Sequence, residues 1–468
     1  MKYKFPISLF IITLIIIFGF SNPIFGKLNI RSHSFTDKQN EKINKKEMAE
    51  KVKQEFLFAW NGYKKYAWGH DELKPISDTY RDWYSSSLLM TPVDAFDTMV
   101  LMGLKKEAAE TQKLILDSLS FDKNITVKFF EINIRLVGGL LSSYELTRNK
   151  GFLKLAEDLA NRLMPVFNSK TGMPYRYINL KTGKVSGAVS NPAEIGSCII
   201  ELGTLSKLTG NPEYFNKAKR ALTALYNRRS NIGLVGSEIS IETGKWVNTN
   251  SSITGGIDSY YEYLLKRWML FGDKDCERMW KTSITAINKY LADKASTGFW
   301  YGHADMNTGK RISTHFGALD AFFPAELVLS GDLKRAEALE ASCYKMWNLE
   351  GIEPEQIDYS YMKIISPGYP LRPEIIESAY YLYHYTHSKK YLQMGKTFFN
   401  NIVKYCKTNS GFAELKSVIT KQKRDAMESF FLAETLKYLY LLFAPAKVLD
   451  FNKVIFNTEG HPVQRNFK

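Results

Sequence analysis

Cysteine is scarce in this sequence, and its spacing excludes the common cysteine-based sites. The 468 residues include only four cysteines, Cys198, Cys276, Cys343 and Cys406, and no two of them form a CxxC pair. Zinc sites and redox-active dithiols usually need such close spacing, so neither is expected. Each cysteine lies in an apolar, helix-like context such as "GSCII" or "VKYCKT", which favours a small buried side chain over a disulfide.

Long apolar runs are also missing, apart from one near the N-terminus. Lys2 and Lys4 precede the 14-residue run "ISLFIITLIIIFGF", which is short for a membrane span and typical of a signal-peptide core. Small residues in "SNPIFG" then suit cleavage, so residues 1–26 are predicted to be a signal peptide for export to the periplasm or the outside of the cell. A retained N-terminal membrane anchor is the alternative. After removal of the signal, no stable membrane insertion is expected.

Acidic residues are fewer than basic ones, with 48 Asp and Glu against 63 Lys and Arg and a net charge of +15. Such an excess can indicate nucleic-acid binding. Part of it, however, comes from the first 53 residues, and the remaining Lys and Arg are spread over helix-like stretches, as on a solvated face. No glycine-rich or RRM-like motif accompanies them, so nucleic acid is not an expected partner.

Apolar residues are plentiful and follow a helical period. The sequence is 45% hydrophobic and 14% aromatic, which is enough for a large core, and its length alone would allow two or three domains. After residue 45, apolar side chains recur every three or four positions in segments such as "AEIGSCIIELGTLSKLTG". Period-two alternation is confined to short pieces such as "MPYRYINLKTG", which are predicted to be hairpins or loops. The fold is therefore predicted to be all-α.

Polar breaks divide these helical segments at regular intervals. The stretches "LTRNKGFL", "LTGNPEYF" and "LFGDKDC" each place Gly or Asn between two apolar runs, as expected where a helix ends. The breaks recur roughly every 55 to 65 residues, which predicts a helical hairpin repeated about seven times. Such hairpins either close into a barrel or stack as an open solenoid.

Carboxylates interrupt the most apolar runs, and this favours the closed arrangement. Glu131 directly follows two Phe, and Arg135 lies one helical turn later on the same face. Taken singly, Asp258 and Glu374 are explained as a helix N-cap and a first-turn acid. Together the acids recur once or twice per hairpin, and a ring of helices would collect them at one end of a cavity. The set is Glu131, Glu194, Asp258, Glu374, Glu377, Glu428 and Glu434.

A pocket of acids, arginines and aromatic rings suits a sugar. Aromatic faces pack on the apolar side of a pyranose, carboxylates and arginines bind its hydroxyls, and two carboxyls supply the acid and base of glycoside hydrolysis. Clustered acids raise one another's pKa values unless a cation balances them. A hard cation such as calcium takes oxygen ligands, which this set could provide directly or through water.

Ordered segments of the chain resemble the signature blocks of the class I α-mannosidases, glycoside hydrolase family 47. They are "YAWGHDELKPIS", "VDAFDTMVLMGL", "FEINIRLVGGLLSSYEL", "DSYYEYLLKRW", "LRPEIIES", "MESFFLAETLKYLYLLF" and "FNTEGHP". The resemblance runs from about residue 50 to 462 and implies one catalytic (α/α)7 barrel over residues 49–468, after a polar segment at 27–48. Small β-hairpins would lie at one rim, and the C-terminal segment would plug the barrel. The implied activity is Ca²⁺-dependent, inverting hydrolysis of terminal α-1,2-linked mannose from high-mannose glycans or mannan.

The resemblance also implies roles for particular residues. Glu131 matches the proposed general acid, Glu374 the general base, and Asp258 a third essential carboxylate that is the alternative acid. The positions that match the mannose-binding subsite are Arg135, Glu194, Arg372, Glu377, Phe430 and Glu434. Thr458 matches the residue that binds calcium directly, and the acids that would act on the ion through water are Glu377, Glu434 and Glu459.

Some positions depart from the family pattern. Asn133 replaces a Thr beside the acid, and Ala318 and Ala321 stand where the eukaryotic processing enzymes carry a His and a Cys. Cys343 resembles the second half of that subgroup's disulfide and is therefore expected to be a free thiol. The stretch "LDAFFPAE" resembles the ER-degradation-enhancing mannosidase-like subgroup, whereas "YAWGHDELKPIS" resembles the Golgi type. The Lys-, Ile- and Asn-rich composition fits a short exported bacterial form.

Two functions remain after this reading of the sequence. The first is an exported exo-α-1,2-mannosidase, which the presence of all three catalytic carboxylates and of Thr458 favours. The alternative is a lectin-like protein that binds mannose glycans on the same barrel with little or no turnover. In either case the partner is a mannose-containing oligosaccharide, and a monomer is expected.

Overall fold

The computed structural model describes residues 43–465. The predicted signal peptide at 1–26 and most of the polar segment predicted at 27–48 lie outside the described residues. The first helix begins at Lys45, where the side chain of Asn44 accepts a hydrogen bond from the backbone N–H of Glu47 at 3.2 Å. The ordered barrel therefore begins slightly before residue 49.

Helices make up most of the described chain. Residues 43–465 contain α1 (Lys45–Tyr66), α2 (Met90–Leu101), α3 (Lys105–Ser118), α4 (Phe129–Ile132), α5 (Gly138–Thr147), α6 (Lys150–Leu163), α7 (Pro192–Gly196), α8 (Ile199–Thr209), α9 (Pro212–Tyr226), α10 (Asp258–Phe271), α11 (Lys274–Tyr290), α12 (Phe323–Leu329), α13 (Leu333–Trp347), α14 (Glu374–Thr386), α15 (Lys389–Cys406) and α16 (Leu436–Phe443).

The longer helices pack as seven pairs that close into a ring. Consecutive hairpins supply α2/α3, α5/α6, α8/α9, α10/α11, α12/α13 and α14/α15, and the seventh pair brings α1 against α16. The inner members of the pairs are α2, α5, α8, α10, α12, α14 and α16. Helix α2 contacts α5 on one side and the segment before α16 on the other. The repeat and the barrel are thus confirmed, and the open solenoid is excluded.

The inner helices are more completely buried than the outer ones. In α2, every residue except Val100 is buried, because one face packs on the outer helix and the other faces the barrel interior. In α6, the buried residues Phe152, Ala156, Leu159, Ala160 and Leu163 lie on one face, as in an amphipathic surface helix. The outer helices therefore cover the ring and leave their polar faces to solvent.

The two rims of the barrel differ. Inner helices lead into outer ones through tight turns, such as those at Gly210 and Gly272, whose φ angles of 78° and 69° suit glycine. Outer helices lead back to the next inner helix through longer segments that carry the small β-strands. The N-termini of α10 and α14 therefore lie at the strand-bearing rim.

The strands form small antiparallel sheets, as predicted. They are β1 (Glu72–Lys74), β2 (Thr79–Arg81), β3 (Thr126–Lys128), β4 (Tyr177–Asn179), β5 (Val185–Ser186), β6 (Val189–Ser190), β7 (Glu238–Ser240), β8 (Trp246–Asn248), β9 (Asn250–Ser251), β10 (Ala292–Ala295), β11 (Gly298–Tyr301), β12 (His303–Asp305), β13 (Arg311–Ser313), β14 (His315–Gly317), β15 (Gln356–Asp358), β16 (Lys363–Ser366), β17 (Glu414–Leu415), β18 (Lys423–Arg424), β19 (Val454–Phe456) and β20 (Pro462–Gln464). Strands that pair with each other are consecutive in the chain, except for β9, which pairs with β12.

The β19–β20 hairpin is the predicted C-terminal plug. It follows α16 and enters the barrel, where Asn457 donates hydrogen bonds to the carbonyl of Ile134 at 3.0 Å and to the carboxylate of Glu201 at 2.8 Å. Gly138 permits this approach, because a Cβ there would lie 2.5 Å from the Asn457 side chain. The plug thus reaches the centre of the ring.

Two inner helices contain a π-helical segment, at Asn133–Val137 and Phe431–Thr435. The first joins α4 to α5 and carries Arg135, while the second leads into α16 and carries Glu434. Single π turns are frequent at functional sites, because the extra residue redirects the side chains around it. Both segments belong to the sequence blocks that carry predicted site residues.

The four cysteines are free and buried, which confirms the free thiol expected at Cys343. Between residues 43 and 465, none of the helices combines the length and apolar character that a bilayer crossing needs.

Candidate active site

A cavity of about 310 Å³ opens inside the ring, at the N-terminal ends of the inner helices. Glu428, which the sequence grouped with the clustered acids, lies outside it and lines a neighbouring cavity. The cavity brings together all the residues that the family resemblance assigned to catalysis, mannose binding or the metal. Those residues are Glu131, Arg135, Glu194, Asp258, Arg372, Glu374, Glu377, Phe430, Glu434, Thr458 and Glu459. They come from segments distributed over most of the described chain, so the closed ring is what assembles them.

Glu131 is held by two cations. Its carboxylate accepts hydrogen bonds from Lys128 at 3.1 Å and from the guanidinium of Arg135 at 3.1 and 3.2 Å. Burial alone would raise the pKa of Glu131, but Arg135 and Lys128 outweigh it and lower the pKa below its usual value. Glu131 is therefore ionised at neutral pH.

Arg135 links this acid to the plug. Its guanidinium pairs with the carboxylate of Glu459 and lies 3.5 Å from Asp94. Asp94 in turn accepts a hydrogen bond from the hydroxyl of Ser429 and lies 3.1 Å from a ring nitrogen of His461. One arginine thus connects an inner helix, the plug and the segment before α16.

The pKa of Asp258 is raised, in contrast to that of Glu131. It begins α10, and its carboxylate accepts a hydrogen bond from the backbone N–H of Ser259 at 2.9 Å. Burial raises the pKa of Asp258 to about 7, with Glu262 adding to the shift and the Ser259 hydrogen bond and Arg372 opposing it. A large fraction of this carboxyl carries a proton at neutral pH.

Glu374 begins α14, directly after Pro373. One of its carboxyl oxygens is buried without a hydrogen-bond partner in the described part of the chain. Burial raises the pKa of Glu374 to about 8, while neighbouring Arg372 lowers it. Arg372 itself pairs with Glu355, with an N–O distance of 2.6 Å.

An acid–lysine cluster extends from Glu262 and Glu377, which line the cavity, to the buried Lys266 and Glu326. The sequence predictions missed this cluster, apart from Glu377. The Lys266 ammonium lies 2.6 Å from Glu262, 3.5 Å from Glu326 and 3.5 Å from Glu377. Part of this cluster carries a sequence signal, since Glu262 and Lys266 follow Asp258 at intervals of four along α10 and therefore share its face. Glu326 comes from α12 and meets the cluster only through tertiary packing.

Glu194 and Phe430 line the walls. Glu194 pairs with Arg176 at 2.7 Å and Lys128 at 3.2 Å, and neither cation was predicted. The Phe430 ring lies 5.6 Å from the guanidinium carbon of Arg135 and 5.9 Å from that of Arg372. The Phe430 ring thus offers an apolar surface between two guanidinium groups, and further apolar side chains such as Phe130 and Phe322 also line the cavity.

Thr458 and the nearby acids fit an oxygen-bound cation. The backbone N–H of Thr458 donates to the hydroxyl of Tyr263 at 3.3 Å, whereas within residues 43–465 its own hydroxyl and carbonyl oxygens make no hydrogen bond. Burial together with nearby Glu459, Glu374 and Glu377 raises the pKa of Glu434 well above its usual value. Unused oxygens beside surplus negative charge are what a divalent cation would occupy.

The carboxylates of the cavity do not form a site that could ligate a metal ion directly. In the described chain, no group of three or more His, Cys, Asp or Glu side chains could hold a metal ion by itself. A cation in this cavity would therefore depend on the oxygens of Thr458 and on water held by the acids. The direct role of Thr458 and the water-mediated roles of Glu377, Glu434 and Glu459 stay predictions.

The sequence matches of this chain to known proteins are consistent with the carboxyl-rich site described above. Residues 55–465 match the family described as glycosyl hydrolase family 47. The chain is 37% identical to alpha-mannosidase I MNS5 of Arabidopsis thaliana, over 91% of this chain and 78% of that protein. It is 38% identical to human ER degradation-enhancing alpha-mannosidase-like protein 2, over 88% and 77%. The bacterial origin stays a prediction.

A solved structure gives the same result in three dimensions. The alpha-1,2-mannosidase from Trichoderma reesei superposes with a TM-score of 0.84 and 28% identity, covering 90% of this chain and 99% of that one. A cellobiose 2-epimerase from Bacillus thermoamylovorans, at 13% identity and a TM-score of 0.54, shares only the fold. The chain belongs to glycosyl hydrolase family 47 and is a glycoside hydrolase of the α-1,2-mannosidase type.

Proposed function

We propose that the protein removes terminal α-1,2-linked mannose from mannose-containing oligosaccharides, with inversion at the anomeric carbon and a bound Ca²⁺. One observation carries the proposal. Three carboxyls, Glu131, Asp258 and Glu374, face one cavity of about 310 Å³ and differ in their pKa values. Glycoside hydrolysis needs one carboxyl that donates a proton and another that accepts one.

Asp258 is the proposed proton donor. Its raised pKa keeps a proton available at neutral pH, whereas Lys128 and Arg135 keep Glu131 ionised. In the reaction, Asp258 protonates the glycosidic oxygen as the bond between that oxygen and C1 breaks. Glu131 then stabilises the positive charge that develops on the sugar ring and holds Arg135 in place.

Glu374 is the proposed base. It accepts a proton from the water molecule that attacks C1, and the product leaves with the opposite anomeric configuration. This role requires the ionised form, although burial raises the pKa of Glu374 to about 8. Arg372 favours the ionised form, and a cation held beside Thr458 would favour it further.

Calcium is proposed for the oxygens of Thr458, with Glu377, Glu434 and Glu459 ordering its water. Bound there, the ion would supply positive charge to the clustered carboxyls and oxygen coordination to the sugar. Arg135, Arg372 and Phe430 would position the terminal mannose. Export to the periplasm or the cell exterior also remains a proposal, which rests on the predicted signal peptide.

The lectin-like alternative is not favoured. A binding protein gains nothing from two buried carboxyls of raised pKa, one of them with an oxygen that lacks a hydrogen-bond partner in the described chain, and burying both costs free energy. Asp258 and Glu374 are retained in this arrangement. The relatives include proteins named as mannosidases.

Proton NMR of the anomeric signals tests the reaction directly. With residues 27–468, α-1,2-mannobiose and calcium, β-mannose is expected first, and α-mannose only later by mutarotation. A Glu374→Gln variant should lower kcat by about 10²- to 10⁴-fold, the usual loss for a general base. Initial release of α-mannose would contradict inversion, and binding without turnover by the wild type would restore the lectin-like function.

A further inference from the structure

The turn of the plug that carries Thr458 contacts a buried glutamate. Glu201 lies on the inner helix α8, and its side chain is almost completely buried. Glu201 is not part of the wall of the catalytic cavity, so the proposed reaction gives it no role. Its hydrogen bonds, however, lead to Thr458.

Three neutral side chains donate hydrogen bonds to the Glu201 carboxylate. The hydroxyl of Tyr263 on α10 donates to Oε1 at 2.6 Å, and the amide of Asn457 donates to the same oxygen at 2.8 Å. The amide of Asn133 donates to Oε2 at 3.1 Å. A buried carboxylate is costly unless such donors satisfy it. The carboxylate therefore holds all three donors in place.

Asn133 is the residue that stands where the family pattern has a Thr. Besides Glu201, its amide donates to the backbone carbonyl of Ser197 at 3.2 Å. Asn133 also begins the π-helical segment that carries Arg135. Glu201 thus joins α8 to this segment, to α10 and to the plug.

Tyr263 fixes the peptide group that precedes Thr458. Its hydroxyl donates to Glu201 and accepts the backbone N–H of Thr458 at 3.3 Å. Because a phenol has a single proton, the hydrogen bond to Glu201 leaves the oxygen lone pairs for that N–H. The peptide group between Asn457 and Thr458 is planar, so this contact restrains its orientation.

Asn457 fixes the peptide group that follows Thr458. Its side-chain oxygen accepts the backbone N–H of Glu459 at 3.0 Å, while its amide nitrogen is held by Glu201. In a trans peptide the carbonyl points away from the N–H, so this contact turns the Thr458 carbonyl away from Asn457. The peptide groups on both sides of Thr458 are therefore restrained through one carboxylate.

We propose that Glu201 is the positioning residue of Thr458 and acts through Tyr263 and Asn457. It sets the direction of the Thr458 carbonyl oxygen, a proposed cation ligand, before any cation binds. The proposal rests on the proposed function, since that function assigns calcium to Thr458. Replacing residues that orient a metal ligand typically lowers metal affinity by about 10- to 100-fold.

Calcium affinity tests the consequence for the ion. Titration calorimetry with calcium chloride on residues 27–468 gives the Kd of the wild type, of Tyr263→Phe and of Glu201→Gln. Both variants nearly keep the size of the side chain, and both should raise the Kd by about 10- to 100-fold. Tyr263→Phe removes the hydroxyl, and Glu201→Gln leaves one side-chain acceptor oxygen for three donors.

Two variants serve as matched controls. Tyr260→Phe removes another buried hydroxyl from α10, one without a hydrogen-bond partner in residues 43–465. Glu145→Gln neutralises a buried glutamate that accepts the backbone N–H of Gln464, on the same hairpin, at 2.7 Å. Both controls should bind calcium like the wild type. An equal loss of affinity in the controls would overturn the proposal.

Residue-resolved amide hydrogen exchange in chelator tests the positioning without the ion. In Tyr263→Phe the Thr458 N–H loses its acceptor and should exchange about tenfold faster. The N–H of Asn457, which donates to the carbonyl of His461 at 3.0 Å, should keep its rate.

Unchanged exchange at Thr458, or equal acceleration across the whole hairpin, would overturn the proposal. If the wild type bound no calcium, the proposed function would lose its cation. The exchange rates would still decide the positioning of Thr458, because they are measured without the ion.

Discussion

At the scale of single residues, protonation distinguishes carboxyls that look alike in the sequence. Glu131 and Asp258 both lie in aromatic runs. The sequence already puts Arg135 one helical turn from the first, but only the structure adds Lys128 to that pair and buries the second beside Glu262. The consequence is a proton on Asp258 and a negative charge on Glu131 at neutral pH.

The identity of the acid can be tested with a leaving group that needs no proton. Asp258→Asn should lose about 10²- to 10⁴-fold in kcat/KM on α-1,2-mannobiose. On α-mannosyl fluoride it should lose much less, because fluoride departs without protonation. Glu131→Gln should lose similar activity on both substrates. If Glu131→Gln instead recovers on the fluoride, then Glu131 is the proton donor.

The pH profile gives a second test of the same assignment. Asp258 has a pKa of about 7, so its protonated form is lost as the pH rises through that value. On mannobiose, kcat/KM should fall about tenfold per pH unit above about pH 7. On α-mannosyl fluoride, this alkaline decrease should be absent. A flat alkaline profile on mannobiose would exclude Asp258 as the acid.

At the scale of elements, the plug is fixed by a buried charge network. His461 lies 2.7 Å from Asp97 and 3.1 Å from Asp94, and Lys437 lies 2.7 Å from Asp97. Burial lowers the pKa of His461, but the two aspartates outweigh burial and raise it. Burial raises the pKa of Asp97, but Lys437 and His461 outweigh burial and lower it to about 2. The network therefore joins the turn of the β19–β20 hairpin to α2 and α16 with charged groups.

Replacement of this histidine should destabilise the protein. His461→Asn leaves Asp94 with Arg135, and Asp97 with Lys437, as the remaining charged partner. Loss of one member of a buried ion pair costs about 3 to 5 kcal/mol. Urea denaturation at neutral pH should show this decrease in the free energy of unfolding. The control His387→Asn changes an exposed turn residue and should have little effect. Equal stability of the two variants would contradict a role for the network.

The π-helical segments act at the same scale. Arg135 and Glu434 both lie within them, and both contribute to the floor of the cavity. Their periodicity in the sequence is indistinguishable from that of an ordinary helix, so the sequence predicted the helices but not the local widening.

At the scale of the whole molecule, ring closure brings together the first and last helices of the described residues. Helix α1 packs on α16, and the segment before α16 contacts α2. The plug then places Thr458 against carboxyls from α14 and from the segment before α16. A cation at this point would therefore stabilise the entire fold.

Calcium should raise the melting temperature of the wild-type protein. A ligand at 100 times its Kd stabilises the folded state by about 2.7 kcal/mol. Thr458→Val removes one proposed oxygen ligand and should abolish most of this increase. Thr420→Val, at an exposed position, should keep it. Scanning calorimetry with calcium and with chelator measures the difference, and an unchanged response in Thr458→Val would place the ion elsewhere.

The sequence by itself determined the helical repeat, the order of the family blocks and, through the family resemblance, many of the side chains that line the cavity. These features are local, since a helix and its polar breaks follow from residues a few positions apart. Even the pairing of Glu131 with Arg135 follows from one helical turn.

Only the tertiary structure decided which carboxyls carry protons and which distant side chains meet. A pKa depends on burial and on charges from distant segments, so Asp258 and Glu131 could not be told apart in the sequence. Glu326 reaches Lys266 through packing, and Arg81 meets Glu428 across 347 positions. Such encounters exist only once the ring has closed, because no local pattern encodes them.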